Sequence, residues 1–253
     1  MVKNKINVKI EILEDSLLID DKILVISDLH LGYEESLENI VLIPKYQYKE
    51  IIEKLNRIFY ILKKNKVILE KIIILGDLKH EFSKNIYSEW KEILKLLDFL
   101  YLKCKKIIII RGNHDNYIIN IIKKKKIQLN YYYKYKNICF LHGNLFKKEW
   151  VLNCKTLILG HLHPSITLSD KYKKEKYSCF LYGFWKNFEI YIIPSFSPIS
   201  IGYNLNNILY DSKFINKFII NGNTIKKFQV IIYNNKENRL YKFGKLFNLL
   251  NRN

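Results

Sequence analysis

Cysteine is scarce in this sequence and follows no recognisable pattern. The four cysteines are Cys104, Cys139, Cys154 and Cys179, and no two of them have the C-x-x-C spacing of a zinc knuckle or a redox motif. Their scatter does not indicate a disulfide framework either, since such frameworks belong mainly to small proteins of oxidising compartments. We therefore expect reduced, mostly buried thiols in an intracellular protein.

Long apolar runs are absent as well. No stretch approaches the roughly 18 apolar residues that a membrane span needs. The N-terminal segment MVKNKINVKIEIL alternates apolar and polar residues like a β-strand, unlike the unbroken apolar stretch of a signal peptide. The sequence also lacks a linker rich in Gly, Pro or Ser, and it lacks internal repeats. These absences predict a soluble, cytoplasmic protein with no membrane partner, folded as a single domain over residues 1–253.

Acidic residues are too few to balance the basic ones. The chain has 43 Lys and Arg against 24 Asp and Glu, which gives a net charge of +19. Such an excess attracts polyanions, so nucleic acid is one candidate partner. The alternative is compositional, because Lys, Asn, Ile, Tyr and Phe dominate the chain and all have A/T-rich codons. The sequence leaves both interpretations open, and its lysine clusters at 123–126 and 171–176 are typical of solvated surfaces.

Short apolar runs that end in Gly, Asp, Asn or His predict buried β-strands. Continuous Ile, Val and Leu runs are typical of strands covered on both faces. The five clearest are KILVISDLH (22–30), KIIILGD (71–77), KIIIIRGNHD (106–115), NICFLHGN (137–144) and KTLILGHLH (155–163). Apolar residues at helical spacing lie between the first three runs, over 51–62 and 86–97. This alternation predicts an α/β fold with a ligand site at one edge of the sheet.

After residue 163 the pattern changes to paired strands. YSCFLYGFW and FEIYIIPSF are typical of strands, and KKFQVIIYNNKENRLYKF is typical of a hairpin that turns at its Asn-rich stretch. We therefore predict an α/β fold of two packed mixed β-sheets flanked by helices, an αββα sandwich. The core motifs occupy residues 22–204. Residues 205–253 form a poorly legible C-terminal extension that we expect to add strands to the second sheet.

All six histidines lie near predicted strand ends. They are His30, His80, His114, His142, His161 and His163. One such histidine is usually structural, but six beside Asp28, Asp77 and Asn113 indicate a metal site. Imidazole and carboxylate ligands without thiolate favour Mn, Fe, Zn, Co or Ni over Ca or Mg. This set can fill two metal shells only if one carboxylate is shared, which predicts a dinuclear centre.

Five motifs in a fixed order resemble the calcineurin-like metallophosphoesterase superfamily. They are D-x-H (Asp28, His30), G-D (Gly76, Asp77), G-N-H-D (112–115), a later strand-end histidine (His142) and G-H-x-H (160–163). G-N-H-D or G-H-x-H alone is a weak signal, whereas the ordered set is specific. A narrower resemblance, carried by SDLHLGYEES, LGDLKHEF and IIPSFSPIS, is to archaeal phosphoesterases akin to those encoded beside DNA ligase genes in bacteria. It extends to about residue 204 and leaves the tail unmatched.

The resemblance implies a metal-dependent phosphoric ester hydrolase with two divalent metal ions. Mn is the first choice, with Fe, Zn, Co and Ni as alternatives. The implied ligands are Asp28, His30, Asp77 and His163 for the first metal and Asp77, Asn113, His142 and His161 for the second, so that Asp77 bridges them. In the family pattern His114 binds no metal but donates to the phosphate and protonates the leaving oxygen. Asp115 either supports His114 in catalysis or braces the turn.

Four further residues are expected around this centre. Many superfamily members carry an acid three residues after the bridging aspartate, where it orients the catalytic histidine, but this chain has His80 followed by Glu81. We expect His80 to stand behind the ligands or to face the substrate, with a purely structural role as the alternative. Arg111 is expected to stabilise phosphate charge. Ser195 or Ser197 of PSFSP would face the phosphate, unless this segment is only a rigid loop.

The first functional expectation is a phosphodiesterase or nuclease-like enzyme that acts on nucleic acid or nucleotides. A small-molecule phosphomonoesterase or a cyclic-nucleotide phosphodiesterase is the nearest alternative. Two alternatives come from other classes: a non-catalytic scaffold that keeps the fold, and a non-specific nucleic-acid binder driven by charge. The scaffold is disfavoured because such proteins typically lose ligands, and here all seven expected ligands and His114 are present. The substrate, the native metal and the oligomeric state stay open at this level.

Overall fold

A computed structural model describes residues 8–34, 46–80, 87–123, 125, 127–169, 172–200, 202–208 and 217–250. The start of the helical pattern predicted from residue 86, part of each lysine cluster, and Glu81 lie outside these ranges. The statements below concern the described residues.

The first sheet is built from six short strands. They are β1 (Ile10–Leu13), β2 (Ser16–Ile19), β3 (Ile23–Ile26), β4 (Lys71–Ile74), β5 (Ile107–Ile110) and β6 (Leu129–Asn130), and they neighbour one another in that order. β1, β2 and β3 pair antiparallel, whereas β3, β4, β5 and β6 run parallel. Isoleucine and valine dominate the central strands, because β-branched side chains fit a pleated, buried surface.

Ten more strands form two further sheets. They are β7 (Tyr132–Tyr135), β8 (Ile138–Leu141), β9 (Thr156–Leu159), β10 (Pro164–Ser169), β11 (Lys174–Ser178), β12 (Phe180–Trp185), β13 (Phe188–Ile192), β14 (Tyr203–Asn204), β15 (Gln229–Asn234) and β16 (Arg239–Lys245). The seven-stranded second sheet has the order β16-β15-β12-β13-β9-β8-β7, and the three-stranded third sheet has the order β11-β10-β14. In the second sheet β8, β9 and β13 run parallel, and the other neighbours pair antiparallel.

Among the described residues, five helices accompany the sheets. They are α1 (Gln47–Lys64), α2 (Tyr87–Lys103), α3 (Ile119–Lys123), α4 (Gly222–Ile225) and α5 (Leu246–Leu250), with 3₁₀ turns at Lys148–Val151 and Leu205–Asn207. α1 buries Ile51, Leu55, Ile58 and Leu62 in one stripe with helical spacing. Lys63 and Lys64 in its last turn complement the helix dipole.

The core has three apolar layers because side chains alternate along each strand. On β3, Ile23 and Val25 face the second sheet, where they join a cluster that includes Phe140 and Phe180. Leu24, on the opposite face, belongs to the layer under α1 and α2. A third layer covers the outer face of the second sheet. The first two sheets therefore pack face to face with helices outside.

The predicted fold class is confirmed as a mixed α/β architecture of packed mixed sheets flanked by helices. The third sheet was not predicted, because β14 is only two residues long and pairs with β10 from far along the chain. β15 and β16 form an antiparallel hairpin at the edge of the second sheet. None of the described helices is both long and apolar enough to span a bilayer.

The parallel strands of both sheets place their following loops together. β3, β4 and β5 end at one edge of the first sheet, and β8, β9 and β13 are parallel neighbours in the second. Every histidine and acid predicted for the metal centre follows one of these strands. The carboxyl ends of parallel strands are the usual ligand-binding edge of α/β sheets. A functional site is therefore expected at this edge.

The packing between the two large sheets gives a stability prediction. Phe140 on β8 is fully buried between them. Phe140→Ala should lower the free energy of unfolding by about 3–5 kcal/mol, since it removes apolar burial and leaves a cavity. Urea denaturation measures this. Phe184→Ala, on a ring that is 67% exposed, is the matched control with an expected change within about 0.5 kcal/mol; equal losses in the two variants would contradict the layered core.

Candidate metal centre

Backbone hydrogen bonds tie the loops of the two sheets into one structure. The Asp28 amide donates to Gly76 O at 3.1 Å and the His30 amide to Asp77 O at 2.9 Å. In the second sheet the Gly160 amide donates to His142 O at 2.8 Å. The Phe196 amide then links the two halves by donating to Ser27 O at 2.8 Å. The loop geometry is thus set mainly by main-chain contacts.

Five of the seven predicted metal-binding residues have a left-handed backbone. They are Asp28, His30, Asp77, His161 and His163, with φ between 46° and 64°. Non-glycine residues in this region cost of order 1–3 kcal/mol each and persist only where the surrounding structure holds them. Such strain clusters at functional sites. Eight other described non-glycine residues also have a positive φ, so the strain agrees with a site at this edge but does not by itself identify one.

One group of donor atoms comes from Asp28, His30, Asp77 and His163. His30 Nε2 lies 3.3 Å from His163 Nε2 and 3.8 Å from Asp77 Oδ2. His163 Nε2 lies 2.8 Å from Asp28 Oδ1. Asp28, His30 and Asp77 are almost fully buried. The four residues that the sequence assigned to one metal are therefore brought together.

A second group comes from Asp77, Asn113, His142 and His161. His142 Nε2 lies 3.1 Å from Asn113 Oδ1, 3.1 Å from His161 Nδ1 and 3.3 Å from Asp77 Oδ2. The two histidines and Asp77 satisfy the geometry of a three-ligand metal group. The structure also brings together the four residues that the sequence assigned to the other metal.

Asp77 is common to the two groups, and its two oxygens have different surroundings. Oδ1 accepts a hydrogen bond from the His114 amide at 2.9 Å. Oδ2 faces the histidines, at 3.3 Å from His142 Nε2 and 3.8 Å from His30 Nε2. Because Oδ1 is held by the backbone, Oδ2 stays directed at the space between the groups. This is the arrangement that a bridging carboxylate requires.

Neighbouring groups orient the donor atoms. His142 Nδ1 lies 2.6 Å from Leu75 O. A carbonyl can only accept, so the proton is on Nδ1 and Nε2 is free to act as a ligand. Asp28 Oδ2 accepts from the Ser27 hydroxyl and, at 3.0 Å, from the His161 amide. These contacts leave Asp28 Oδ1 facing His163.

The electrostatics of the cluster favour ionised acids. Burial disfavours the charged form of Asp77, but the adjacent His142 outweighs burial and lowers the pKa of Asp77. Burial likewise opposes charge on His142, yet the Asp77 carboxylate raises the pKa of His142 to about 10. Burial lowers the pKa of His161 to about 4 and that of His30 well below its usual range. At neutral pH the Asp77 carboxylate thus faces a protonated His142, while His30 and His161 are neutral.

The donor atoms fit divalent metal ions. Metal bonds of roughly 2.0–2.2 Å to imidazole and carboxylate place neighbouring donors about 3 Å apart, and the separations in the second group are 3.1–3.3 Å. The mixture of imidazole, carboxylate and amide without thiolate suits Mn, Fe, Zn, Co or Ni.

His30, His80 and His114 form a third group of residues with close donor atoms. The described residues can therefore hold metal without rearrangement of the fold.

His114 stands beside the two donor groups. Its Nε2 lies 3.9 Å from Asp77 Oδ2, and its Nδ1 hydrogen-bonds to the main-chain carbonyl of His80. Since a carbonyl accepts, Nδ1 carries the proton and Nε2 points toward the site. The His80 ring stacks on the His114 ring with centroids 5.5 Å apart. Burial lowers the pKa of His114.

Asp115 contacts the backbone of the site. Its Oδ2 accepts from the amides of Asp77 and Gly112 at 2.8 and 2.9 Å, and its Oδ1 accepts from the Leu78 amide at 3.0 Å. Burial and the nearby Asp77 raise its pKa to about 6. Of the two roles expected from sequence, these contacts support bracing of the turn.

The other predicted residues lie around the centre. Arg111 donates to Tyr131 Oη at 3.0 Å and to Asn116 Oδ1 at 3.1 Å, at the base of the loop that carries Asn113. Ser195 is buried and donates to Asp28 O at 2.7 Å. Ser197 is buried and accepts from Gln47 Nε2 at 2.9 Å. The contacts of both serines support the rigid-loop alternative.

Sequence reasoning missed Gln47 and Glu34. Gln47 Nε2 donates to His30 O at 2.9 Å as well as to Ser197, so it joins two loops behind the centre. Glu34 Oε1 accepts from the Gln47 amide at 2.8 Å at the start of α1. Gln47 belongs to no motif, and Glu34 lies in the SDLHLGYEES segment but was assigned no role there. The only signal was a polar residue at the start of an amphipathic helix.

Comparison with known proteins identifies the family. The model for calcineurin-like phosphoesterases matches residues 21–233. The chain therefore belongs to the calcineurin-like phosphoesterase family and is a metal-dependent phosphoester hydrolase that uses divalent metal ions. No curated protein matches its sequence.

A search of solved structures finds matches at low sequence identity. Nuclease MPE of Pseudomonas putida is 16% identical, with a TM-score of 0.55 over 94% of this chain and 100% of that one. YfcE, a phosphoesterase from E. coli, is 13% identical with a TM-score of 0.38, over 88% of this chain and 98% of its own. Vps29 of Entamoeba histolytica is 14% identical with a TM-score of 0.35, over 87% of this chain and 97% of its own. At these identities the first match supports the fold alone.

The close approach of two loops gives a prediction about metal content. A Cβ at Gly112 would lie 2.1 Å from Asp77 Oδ1. Gly112→Ala should therefore displace the Asp77 carboxylate and reduce the metal bound per chain, as measured by elemental analysis after dialysis. Gly244→Ala is the control, because its φ is +79° but nothing lies within 4 Å of the added atom. It should lose about 1 kcal/mol of stability and keep its metal; full metal content in Gly112→Ala would contradict the assigned position of Asp77.

Proposed function

We propose that this calcineurin-like phosphoesterase is a dinuclear phosphodiesterase that acts on nucleic acid or nucleotides. The observation that carries the proposal is the position of Asp77 Oδ2, which two separate donor groups share. His114 Nε2 lies 3.9 Å from the same oxygen. Two cation sites with a proton donor beside them form the arrangement that phosphoester hydrolysis requires.

The two donor groups would each hold one divalent metal ion. Asp28, His30 and His163 complete the first site, Asn113, His142 and His161 complete the second, and Asp77 serves both. Mn is our first choice, since imidazole, carboxylate and amide ligands suit it, with Fe, Zn, Co and Ni as alternatives. When bound, the two ions would polarise the phosphoryl oxygen and lower the pKa of the attacking water.

His114 would act as the proton donor. Burial favours its neutral form in the free protein, but an anionic phosphoester beside Nε2 favours the imidazolium form. The protonated ring would first donate to a phosphate oxygen. As the bond between phosphorus and the leaving oxygen breaks and water adds to phosphorus, His114 would give its proton to the leaving oxygen. The Nδ1 contact with His80 O keeps Nε2 directed at the reaction.

A polyanionic substrate agrees with the charge of the chain. The net charge is +19, and basic surfaces concentrate nucleic acid by long-range attraction. Arg111 lies at the base of the loop that carries His114 and can contribute to phosphate binding. The narrower sequence resemblance to phosphoesterases encoded beside DNA ligase genes supports the same choice. So does the fold shared with a protein named as a nuclease.

Two substitutions separate metal binding from proton donation. Asp77→Asn should lose bound metal and all phosphodiester hydrolysis. His114→Ala should keep its metal and lose about 10²- to 10⁴-fold in kcat, since that is the usual contribution of a general acid. Asp98→Asn, on an exposed helical position, is the control for Asp77→Asn. The assay compares phosphodiesters, phosphomonoesters and oligonucleotides with Mn, Fe, Co, Ni and Zn.

The same assay distinguishes the alternatives. Preferential hydrolysis of phosphomonoesters would contradict the proposed substrate class. Inactivity with every metal despite two bound ions would favour a scaffold. Nucleic-acid binding that falls with salt and survives Asp77→Asn shows a charge-driven surface separate from catalysis.

Metal binding should release protons in a predictable way. In the metal-free protein the pKa of His142 is raised to about 10 and that of His161 is lowered to about 4. At pH 7 His142 is therefore protonated and His161 is not. A ligand imidazole must be neutral, so metal loading should release the proton of His142 at pH 7, and metal affinity should rise with pH.

Calorimetry in buffers of different ionisation enthalpy counts these protons. His142→Asn is the matched variant, because it keeps a polar side chain at this position but removes the ionisable ring. It should release fewer protons than the unaltered protein. Metal binding without proton release by the unaltered protein would contradict the charge state assigned to His142.

A further inference from the structure

A fully buried ion pair lies behind the proposed proton donor. Lys79 Nζ is 3.3 Å from Glu89 Oε2, and both side chains are completely inaccessible to solvent. Lys79 follows the bridging residue Asp77 by two positions, and Glu89 is on α2. Buried ion pairs are weak stabilisers, because desolvation of both charges offsets their attraction. The Lys79–Glu89 pair therefore points to a role in the site rather than in the stability of the fold.

Glu89 holds the residue that orients His114. Its Oε1 accepts a hydrogen bond from the His80 amide at 2.9 Å. The main-chain carbonyl of His80 in turn accepts from His114 Nδ1. The chain of contacts thus runs from Glu89 through the backbone of His80 to the imidazole of His114.

The space around Glu89 leaves it little freedom to move. A Cβ at Gly32 would lie 3.0 Å from Glu89 Cγ and 3.1 Å from its Oε1. The bridge between Leu31 and Lys79 and the hydrogen bond from His80 N to Leu31 O at 3.0 Å hold the same loops together. Lys79 Nζ closes the other side of the Glu89 carboxylate, at 3.3 Å from Oε2.

We propose that Glu89, held in place beside Lys79, is a positioning residue for His114 through the oxygen that accepts from the His80 amide. The proposal rests on the role of His114 as proton donor. It explains the sequence departure at position 80, where many relatives carry an acid that orients the catalytic histidine. In this chain the main-chain carbonyl of His80 orients His114. The acid is Glu89 on α2, which acts indirectly by binding the amide of His80.

The test uses two double variants that differ in one acceptor. Lys79→Met with Glu89→Gln removes both charges and keeps an oxygen for the His80 amide. Lys79→Met with Glu89→Leu removes the charges and that oxygen. Each is assayed on a diester with a p-nitrophenolate leaving group and on a dinucleotide with a sugar hydroxyl leaving group. A general acid matters for the sugar hydroxyl and hardly for p-nitrophenolate.

We expect the leucine variant to lose about 10- to 100-fold in kcat on the dinucleotide, part of the usual contribution of a general acid, and less than about 3-fold on the aryl ester. The glutamine variant should stay close to the unaltered enzyme. The triple variant that combines the leucine variant with His114→Ala should have the same kcat on the dinucleotide as His114→Ala alone. The two sets of changes remove one function, so their effects should not add. Both variants should retain the metal content of the unaltered enzyme.

Equal losses on the two substrates, or loss of metal, would overturn the positioning role and leave only a structural one. His114→Ala alone separates this failure from failure of the proposed function. If that variant shows no dependence on the leaving group, the proton-donor role is wrong, and the positioning role fails with it. If it shows the dependence and the leucine variant does not, only the positioning role is wrong.

A direct measurement covers the case in which the double variants do not fold. Nitrogen NMR of histidine-labelled protein, metal-free or loaded with Zn, reports which ring nitrogen of His114 carries the proton. The contact with the His80 carbonyl requires Nδ1. A neutral His114 with its proton on Nε2 in the unaltered protein would overturn the proposal, whereas the Nδ1 form supports it.

Discussion

The site depends on one carboxylate oxygen, Asp77 Oδ2, that is held between two groups of donors. Its partner oxygen is bound by the His114 amide, and the backbone around it is bound by Asp115. These contacts hold the charge in place before any cation arrives. The strained backbone at Asp77 and at four predicted ligands is tolerated because the two sheets hold the loops on both sides. The fold thus serves to keep acids and imidazoles closer than they would stay in a flexible chain.

Much of this arrangement could be predicted from the sequence. Continuous Ile and Val runs indicated the buried strands, and the residues that end them had to meet if the strands were parallel neighbours. The convergence of Asp28, Asp77 and Asn113 follows from that geometry within the first sheet, whereas His142, His161 and His163 come from the second sheet and meet them through the packing of the two sheets. Two packed sheets were also predicted from the change of pattern after residue 163, but the second sheet already begins with β7, β8 and β9.

Other features could not be predicted, for identifiable physical reasons. The third sheet depends on β14, which is too short to give a periodic pattern. Gln47 acts through contacts with His30 and with Ser197, 150 residues away, and no spacing rule connects them. The acceptor for His114 Nδ1 is a main-chain carbonyl, so the identity of residue 80 says nothing about it. Side-chain patterns reveal which residues carry the chemistry, but they do not reveal contacts made by the backbone.

The division of the donors between the sheets has a consequence during synthesis. Asp28, His30, Asp77 and Asn113 belong to the part of the chain made first, whereas His142, His161 and His163 follow β8 and β9. A nascent chain that has left the ribosome only as far as β6 carries three of the four residues of the first donor group and two of the four residues of the second, so neither group is complete. Completion of either donor group must therefore wait until the second sheet has been synthesised and has packed against the first.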